Sequence, residues 1–265
     1  MVADSNHTMN QAADSGALRF TAERQARILQ SLQEHGRVEV LELARVLQVS
    51  EHTVRRDLLA LQSQGVLQRT HGGAVSINTA RLDLAGRAAV VPRTKAAIGR
   101  AAAALFEPGQ TVILDAGSTS LALAHALTVR PLTVITNSLD IAQVFAPDPQ
   151  VQLVLTGGSW QPGARALWGP AADDMLKHCR ADWAVPGACA LDAAKGATAT
   201  DEADAALKRT MITRAAKTLV LGDTSKRGGV APFLVAEWQQ VHALVTDRPW
   251  PEVQALGVDV VIAED

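Results

Sequence analysis

Cysteine is nearly absent: Cys179 and Cys189 are the only two in 265 residues. They form no CxxC pair, and no histidine stands at metal-ligand spacing from them. This argues against a disulfide framework and a metal site, and both are expected to be buried thiols in a reducing compartment. No run of residues approaches the ~18 apolar positions that crossing a bilayer requires. The opening stretch MVADSNHTMNQAADSGAL lacks the basic start and apolar middle of a secretory signal. Residues 1–20 are therefore read as a disordered polar tail, and the protein as cytoplasmic with no membrane partner. Neither sign of charge dominates, with 25 Lys and Arg against 27 Asp and Glu. Any contact with nucleic acid must then be local rather than a coat of positive charge. The fingerprints GxGxxG and GxxxxGK[ST] are also missing, which makes dinucleotides and nucleoside triphosphates poor ligand candidates.

What is present is 48% hydrophobic residues beside 20% charged ones, ordinary for a globular chain with a sizeable core. The length fits a small domain plus a large one. Three helices are predicted at the front. The first runs over 21–36, with Thr21 as N-cap and Gly36 as stop, and Ile28, Leu29 and Leu32 form its apolar face. The second covers 40–47 with Leu43, Ala44 and Leu47 inward. Ser50 caps the third, in which Val54, Leu58 and Leu61 recur at helical spacing. That phase turns His52 and Arg56 outward, with Thr53 and Arg55 on the flanks. Gly65 ends the helix, and VLQRT and AV pair as a hairpin around HGG.

Two helices joined by a tight turn and followed by a hairpin make a winged helix-turn-helix, spanning 21–75. The major groove admits one helix, whose N-terminal half reaches base edges while its free amides meet phosphate. Ser50, His52, Thr53, Arg55 and Arg56 supply donors of suitable length, and Arg69 with His71 on the wing reach an adjoining backbone or minor groove. Over 21–75 seven arginines face six acidic residues, so bulk charge leaves a protein-docking module open and the order of elements decides for double-stranded DNA. Asp57 lies toward the core side and is read as the partner of an arginine in the same domain.

Residues 76–92 have weak periodicity and are read as a linker. From 93 onward short branched runs alternate with helical segments: 111–115, 132–136, 151–155, 182–187, 218–223, 242–247 and 259–263. Runs apolar on both faces predict a parallel sheet covered by helices, a Rossmann-like α/β domain with ligands beyond the carboxyl ends of its strands. At those ends stand DAGSTS, TNS, TGG, GACA and DTSK. Turns of Gly, Ser and Thr at a helix N-terminus present amides and hydroxyls to an anion, and Lys226 adds a point charge. The pattern points to a phosphate-bearing small molecule.

Arg24, Ile28, Leu32, the SEHTVRRDL stretch and RTHGGAV together resemble the DeoR family of bacterial transcriptional regulators. DAGSTS, TNS, TGG, DEADAALKRTMI and DTSK are similar to that family's effector-binding domain, so the likeness runs from about Arg24 almost to the C-terminus. It implies a second domain similar in fold to ribose-5-phosphate isomerase. It also implies an effector site drawn from Asp115, Gly117, Ser118, Thr119, Asn137, Gly158, Asp204, Lys208 and Lys226, with Lys95 just before the first helix. Three departures stand out. Gln48 occupies a turn position that is often glycine, a cost of about 1 kcal/mol if that position is left-handed. Asp204 stands where Glu is common, and Cys189-Ala190 replaces a polar residue and a glycine. The resemblance implies a repressor of a carbohydrate-utilisation operon, acting as a homodimer or homotetramer and controlled by a phosphorylated sugar or polyol. The alternative is a sugar-phosphate isomerase or deaminase with an appended helical module. No residue is assigned a catalytic role, and no cofactor or metal is expected. His178 and His242 lie away from the strand-end loops, and an isomerase has no use for a winged helix.

Overall fold

The computed structural model describes residues 16–35, 37–63, 67–70, 72–76 and 84–264, and divides the chain into two units, 1–77 and 78–265. In the first unit α1 (Gly16–His35), β1 (Arg37–Glu39), α2 (Val40–Val46), α3 (Glu51–Ser63), β2 (Leu67–Arg69) and β3 (Gly73–Ser76) follow in order. Ile28, Leu32, Leu43, Val54, Leu58 and Leu61 meet in one core, as the helical spacing predicts. α1 begins at Gly16, so Thr21 lies inside the helix rather than capping it, and 16–20 belong to the helix rather than the tail. The rest of the expected tail, Gly36, Gly65 and His71 lie outside the described residues.

The hairpin of β2 and β3 forms with Arg69 opposite Ala74. The sequence reading has no counterpart for β1, which pairs with β3 and makes a three-stranded antiparallel sheet of order β1-β3-β2. At the end of that ladder Glu39 faces Gly73, where any methyl would collide with the Val38 carbonyl. Gln48 does adopt the left-handed conformation, at φ 54°.

The second unit opens with α4 (Leu84–Ala89) and α5 (Pro92–Ala103); the six-residue α4 falls within the stretch read as linker. Then come β4 (Thr111–Leu114), α6 (Ser118–Ala126), β5 (Leu132–Thr136), α7 (Leu139–Phe145), β6 (Val151–Leu155), β7 (Ser159–Gln161), β8 (Ala166–Trp168), α8 (Pro170–Lys177) and β9 (Ala181–Val185). The chain continues through β10 (Ala190–Asp192), β11 (Gly196–Ala199), α9 (Glu202–Thr213), β12 (Ala215–Leu221), β13 (Phe233–Ala236), β14 (Ala243–Thr246), α10 (Pro251–Gln254) and β15 (Asp259–Ile262). Each of the seven predicted strands is present, and they form one parallel sheet of order β15-β14-β12-β9-β4-β5-β6.

Alternation along the strands explains the doubly apolar runs. Val112 and Leu114 join a core with α5, α6 and α7. Ile113 between them points the other way, into a core with α8 and α9. Gly99 of α5 allows close approach to α6, since an added Cβ would sit 2.6 Å from the Ala122 carbonyl carbon. The hairpin β7-β8 and the small sheet β10-β11-β13 escape the sequence reading. Their strands are three or four residues long, too short for alternation to register. Both cysteines are free; Cys189 is buried, whereas Cys179 is only half-buried, with burial pushing its thiol pKa up. Among the described residues no helix is long and apolar enough to cross a membrane.

Candidate functional site

Two surfaces carry polar chemistry, one in each unit. On α3 the Thr53 amide donates to Ser50 Oγ at 3.2 Å, the N-cap the sequence predicts. Thr53 Oγ1 and Ser50 Oγ lie 2.9 Å apart and bind each other. His52, Arg55 and Arg56 are exposed, and so is Arg69 at the end of β2. Arg55 reaches back one turn to Glu51 at 2.6 Å. Both partners are solvent-exposed, so this pair contributes little and exchanges readily for another anion. Beneath this face, Arg24 of α1 forks onto Asp57: Nε donates to Oδ2, and Nη2 to Oδ1 at 3.0 Å. The side chains are only 11% and 3% exposed, which confirms the structural role expected of Asp57. The pair fixes α3 against α1, so the orientation of the exposed arginines depends on a buried contact.

The second surface lies at the carboxyl ends of the parallel strands. The sheet order reverses at β4: β5 and β6 continue to one side, while β9, β12, β14 and β15 extend to the other. Loops leaving adjacent strands on opposite sides of such a point part and leave a crevice. A small cavity of about 30 Å³ opens there, lined from the loop after β4 (Gly117, Ser118, Thr119), the loop after β9 (Gly187, Cys189) and the turn after β12 (Asp223, Lys226). Gly117 is the N-cap of α6 and offers no side chain, so the amides of the first turn stay open toward the cavity.

Beneath it the strand ends are tied together. Asp115 accepts from the Gly187 amide at 2.7 Å and from Asn137 Nδ2 at 3.0 Å, while Asn137 Oδ1 accepts from the Ala116 amide at 2.9 Å. An added Cβ on Gly187 would sit 2.8 Å from Asp115 Oδ2, so the close approach requires glycine. Lys208 pairs with Asp204 one turn earlier and lies 3.6 Å from Asp115. Burial opposes its charge, but the two carboxylates outweigh this and hold its pKa above the ordinary lysine value.

The sequence-predicted residues therefore separate into groups. Gly117, Ser118, Thr119, Lys95, Lys208 and Lys226 line the cavity. Asp115, Asn137 and Asp204 stand behind it as the hydrogen-bonded frame. Gly158 does not line it: at φ 110°, with an added Cβ only 2.7 Å from the Trp168 carbonyl oxygen, it is a packing and backbone requirement. Lys95 lies inside α5 rather than before a helix, and its ammonium donates to the carbonyls of Arg87 and Val90, the latter at 2.7 Å. Burial draws its pKa down to about 8, with Asp223 opposing and Lys226 and Arg87 adding to the fall. Burial likewise lowers Lys226.

Cys189, Asp223 and Ser225, from the GACA and DTSK strand-end motifs, line the cavity too, and so does Arg87, to which the sequence reading assigns no role. The three buried side-chain polar atoms without a hydrogen-bond partner among the described residues are Arg87 Nε, Thr119 Oγ1 and Asp223 Oδ2. All three belong to residues lining this one cavity. Such atoms are costly unless something satisfies them. The histidines stay apart, since His178 bonds the Asp174 carbonyl and His242 accepts the Thr218 amide. No group of acidic, His and Cys side chains suited to a metal occurs among the described residues.

Comparison with known proteins follows these two surfaces. Residues 24–80 match the model of the DeoR-like helix-turn-helix domain, and 91–248 match that of the DeoR C terminal sensor domain. The HTH-type transcriptional repressor GlcR of Bacillus subtilis is 35% identical over 86% of this chain and 89% of its own. The HTH-type transcriptional regulator GolR of Listeria innocua is 32% identical over 92% of this chain and all of its own. A solved ribose 5 phosphate isomerase A from Neisseria gonorrhoeae aligns with 50% of this chain and 52% of that one, at 14% identity and a TM-score of 0.37. With both family models matched in sequence order and relatives similar over nearly their whole length, the chain belongs to the DeoR family of transcriptional regulators.

Proposed function

We propose that the protein is a DNA-binding repressor of a carbohydrate-utilisation operon, and that a phosphorylated sugar or polyol held in the strand-end cavity sets its affinity for the operator. The observation that carries this reading is the convergence of the unpartnered Arg87, Thr119 and Asp223 atoms on one cavity at a helix N-terminus. A phosphate satisfies amides and cations together, and the Asp223 carboxylate suits a sugar hydroxyl. Lys208 is not the phosphate partner in this reading, because Asp204 and Asp115 already neutralise it. The same commitments weigh against an isomerase that uses Asp115 or Asp204, since both are committed to Lys208 and no histidine lines the cavity.

In the N-terminal unit the exposed end of α3 enters the major groove, with Arg56 and His52 toward bases and Ser50, Thr53, Arg55 and Arg69 toward phosphate. Two copies of the chain reading half-sites about one helical turn apart, or a multiple of it, give the usual geometry of such modules. Arg56→Ala is expected to weaken binding to a DNA fragment selected from a random pool by about 5- to 150-fold, equivalent to roughly 1–3 kcal/mol. Anisotropy at fixed salt measures this, and ligand affinity should not move. Unchanged DNA affinity would remove α3 from the groove.

Lys95 makes ligand binding depend on pH. A phosphate in the cavity raises its pKa from about 8, so binding above that pH takes up a proton. Affinity is then full below pH 8 and falls as pH rises through it. On the acid side it declines as the phosphate itself protonates near pH ~6. Calorimetry in two buffers of different ionisation enthalpy is expected to show a plateau between these limits and proton uptake above them. A level profile through the alkaline range would exclude Lys95.

A further inference from the structure

Arg87 is joined to the cavity in two ways. Its guanidinium Nε is buried without a hydrogen-bond partner among the described residues, and its backbone carbonyl accepts from the buried ammonium of Lys95, which also lines the cavity. Neither Arg87 nor Lys226 has a hydrogen-bond or ion-pair partner for its cationic end among the described residues. The helix carrying Arg87 packs on α6, with Leu84 and Val90 buried at its two ends. α4 is six residues long, held at its start by the Leu84 amide donating to the Gly163 carbonyl at 2.8 Å, and at its end by Lys95 on the Arg87 and Val90 carbonyls.

The corner after it is strained. Val91 sits at φ 42°, ψ 55°, in the left-handed region, and Pro92 follows. A β-branched residue takes that conformation only where its surroundings impose it, and the Lys95 clamp on the preceding carbonyls draws the corner in. α4 is also the first described element after the N-terminal unit, which ends at residue 77. A short helix with a strained corner, a removable clamp and one cation waiting in a cavity has the parts of a two-state element.

We propose that Arg87 takes the ligand phosphate through its guanidinium fork, and that α4 is tightened by this contact when the cavity is occupied. The proposal rests on the phosphate reading of the cavity. A planar fork matches a phosphate bidentately, which an ammonium does not. The ligand thereby pulls on the residue whose carbonyl the clamp already holds.

Amide hydrogen exchange on the full chain tests this, with inorganic phosphate as probe and chloride at matched ionic strength as control. In the wild type, phosphate is expected to slow exchange in both 118–121, the first turn of α6, and 84–91. In Arg87→Gln and Arg87→Lys the first segment stays protected, while protection of 84–91 falls by about tenfold, the size of one lost charged hydrogen bond. Protection at 118–121 without any at 84–91 in the wild type, or equal protection of 84–91 in both variants, would overturn the proposal and leave the cavity reading intact. No protection at 118–121 in the wild type would overturn the cavity reading, and this proposal with it.

Discussion

Asp57→Ala is expected to cost the N-terminal unit about 3–5 kcal/mol, the usual penalty for removing one partner of a buried ion pair. The cause is the residue left behind. Arg24 is only 11% exposed on its side chain and keeps its charge at any accessible pH, since the hydrogen bond to Asp57 raises its pKa further. With the carboxylate gone, two guanidinium hydrogen bonds and the Asp57 countercharge disappear together, and the cation stays under α3 with its 3.3 Å hydrogen bond to Thr21 Oγ1. A small domain has roughly 5–15 kcal/mol of total stability, so this loss removes much of the margin. Urea unfolding should show an early transition for the N-terminal unit, an unmoved one for the α/β unit, and loss of DNA binding near 37 °C. The double variant Arg24→Met, Asp57→Leu should recover most of the stability, because an apolar pair replaces the ion pair without an orphaned charge. A single variant within about 1 kcal/mol of wild type would mean that the pair is a surface contact.

Lys226→Ala carries the second large effect. Among the described residues the ammonium has no hydrogen-bond or ion-pair partner, and burial lowers its pKa with the Asp223 carboxylate opposing the fall, so a bound anion would offset the remaining cost. Removing it should lower affinity for a phosphate ester by about 2–5 kcal/mol, roughly 30- to 5,000-fold, the range for truncating one member of a buried charged pair. DNA affinity without ligand should be unchanged, and thermal stability should not fall. A loss of less than about threefold in calorimetry would place the phosphate elsewhere, since a charged hydrogen bond contributes more than that. A stability loss would instead identify Lys226 as structural.

Periodicity made most of this architecture legible. Residues 132–136 and 151–155 are strands over the bounds read from their branched runs, because a parallel strand buried on both faces must be apolar throughout. The phase of Val54, Leu58 and Leu61 places Asp57 toward the core, where it is buried against Arg24. The Ser cap was equally plain: Ser50 accepts the amide three residues on.

What escaped had no period to read. Arg87 sits in LAGRAA, a six-residue helix without a capping signal, and its importance comes from a clamp formed eight residues later by Lys95. Asp223 and Ser225 are legible only as part of the DTSK turn, not as individual site residues, because their side chains are placed by one short 3-10 turn. Gly158 carried a family-like motif, but its backbone angle and the nearby Trp168 carbonyl explain it without a ligand. Lys208 is implied as an effector-site lysine by the family resemblance alone, yet only the fold reveals that two carboxylates already occupy it.

The most direct test is the affinity of the full chain for a selected DNA fragment, titrated with phosphorylated sugars and polyols and with their unphosphorylated counterparts. At least one ester should change that affinity by about 5- to 150-fold, a coupling of roughly 1–3 kcal/mol, while its unphosphorylated form leaves it unchanged. An equal response to the unphosphorylated compound, or no response to any ester across the panel, would contradict the account.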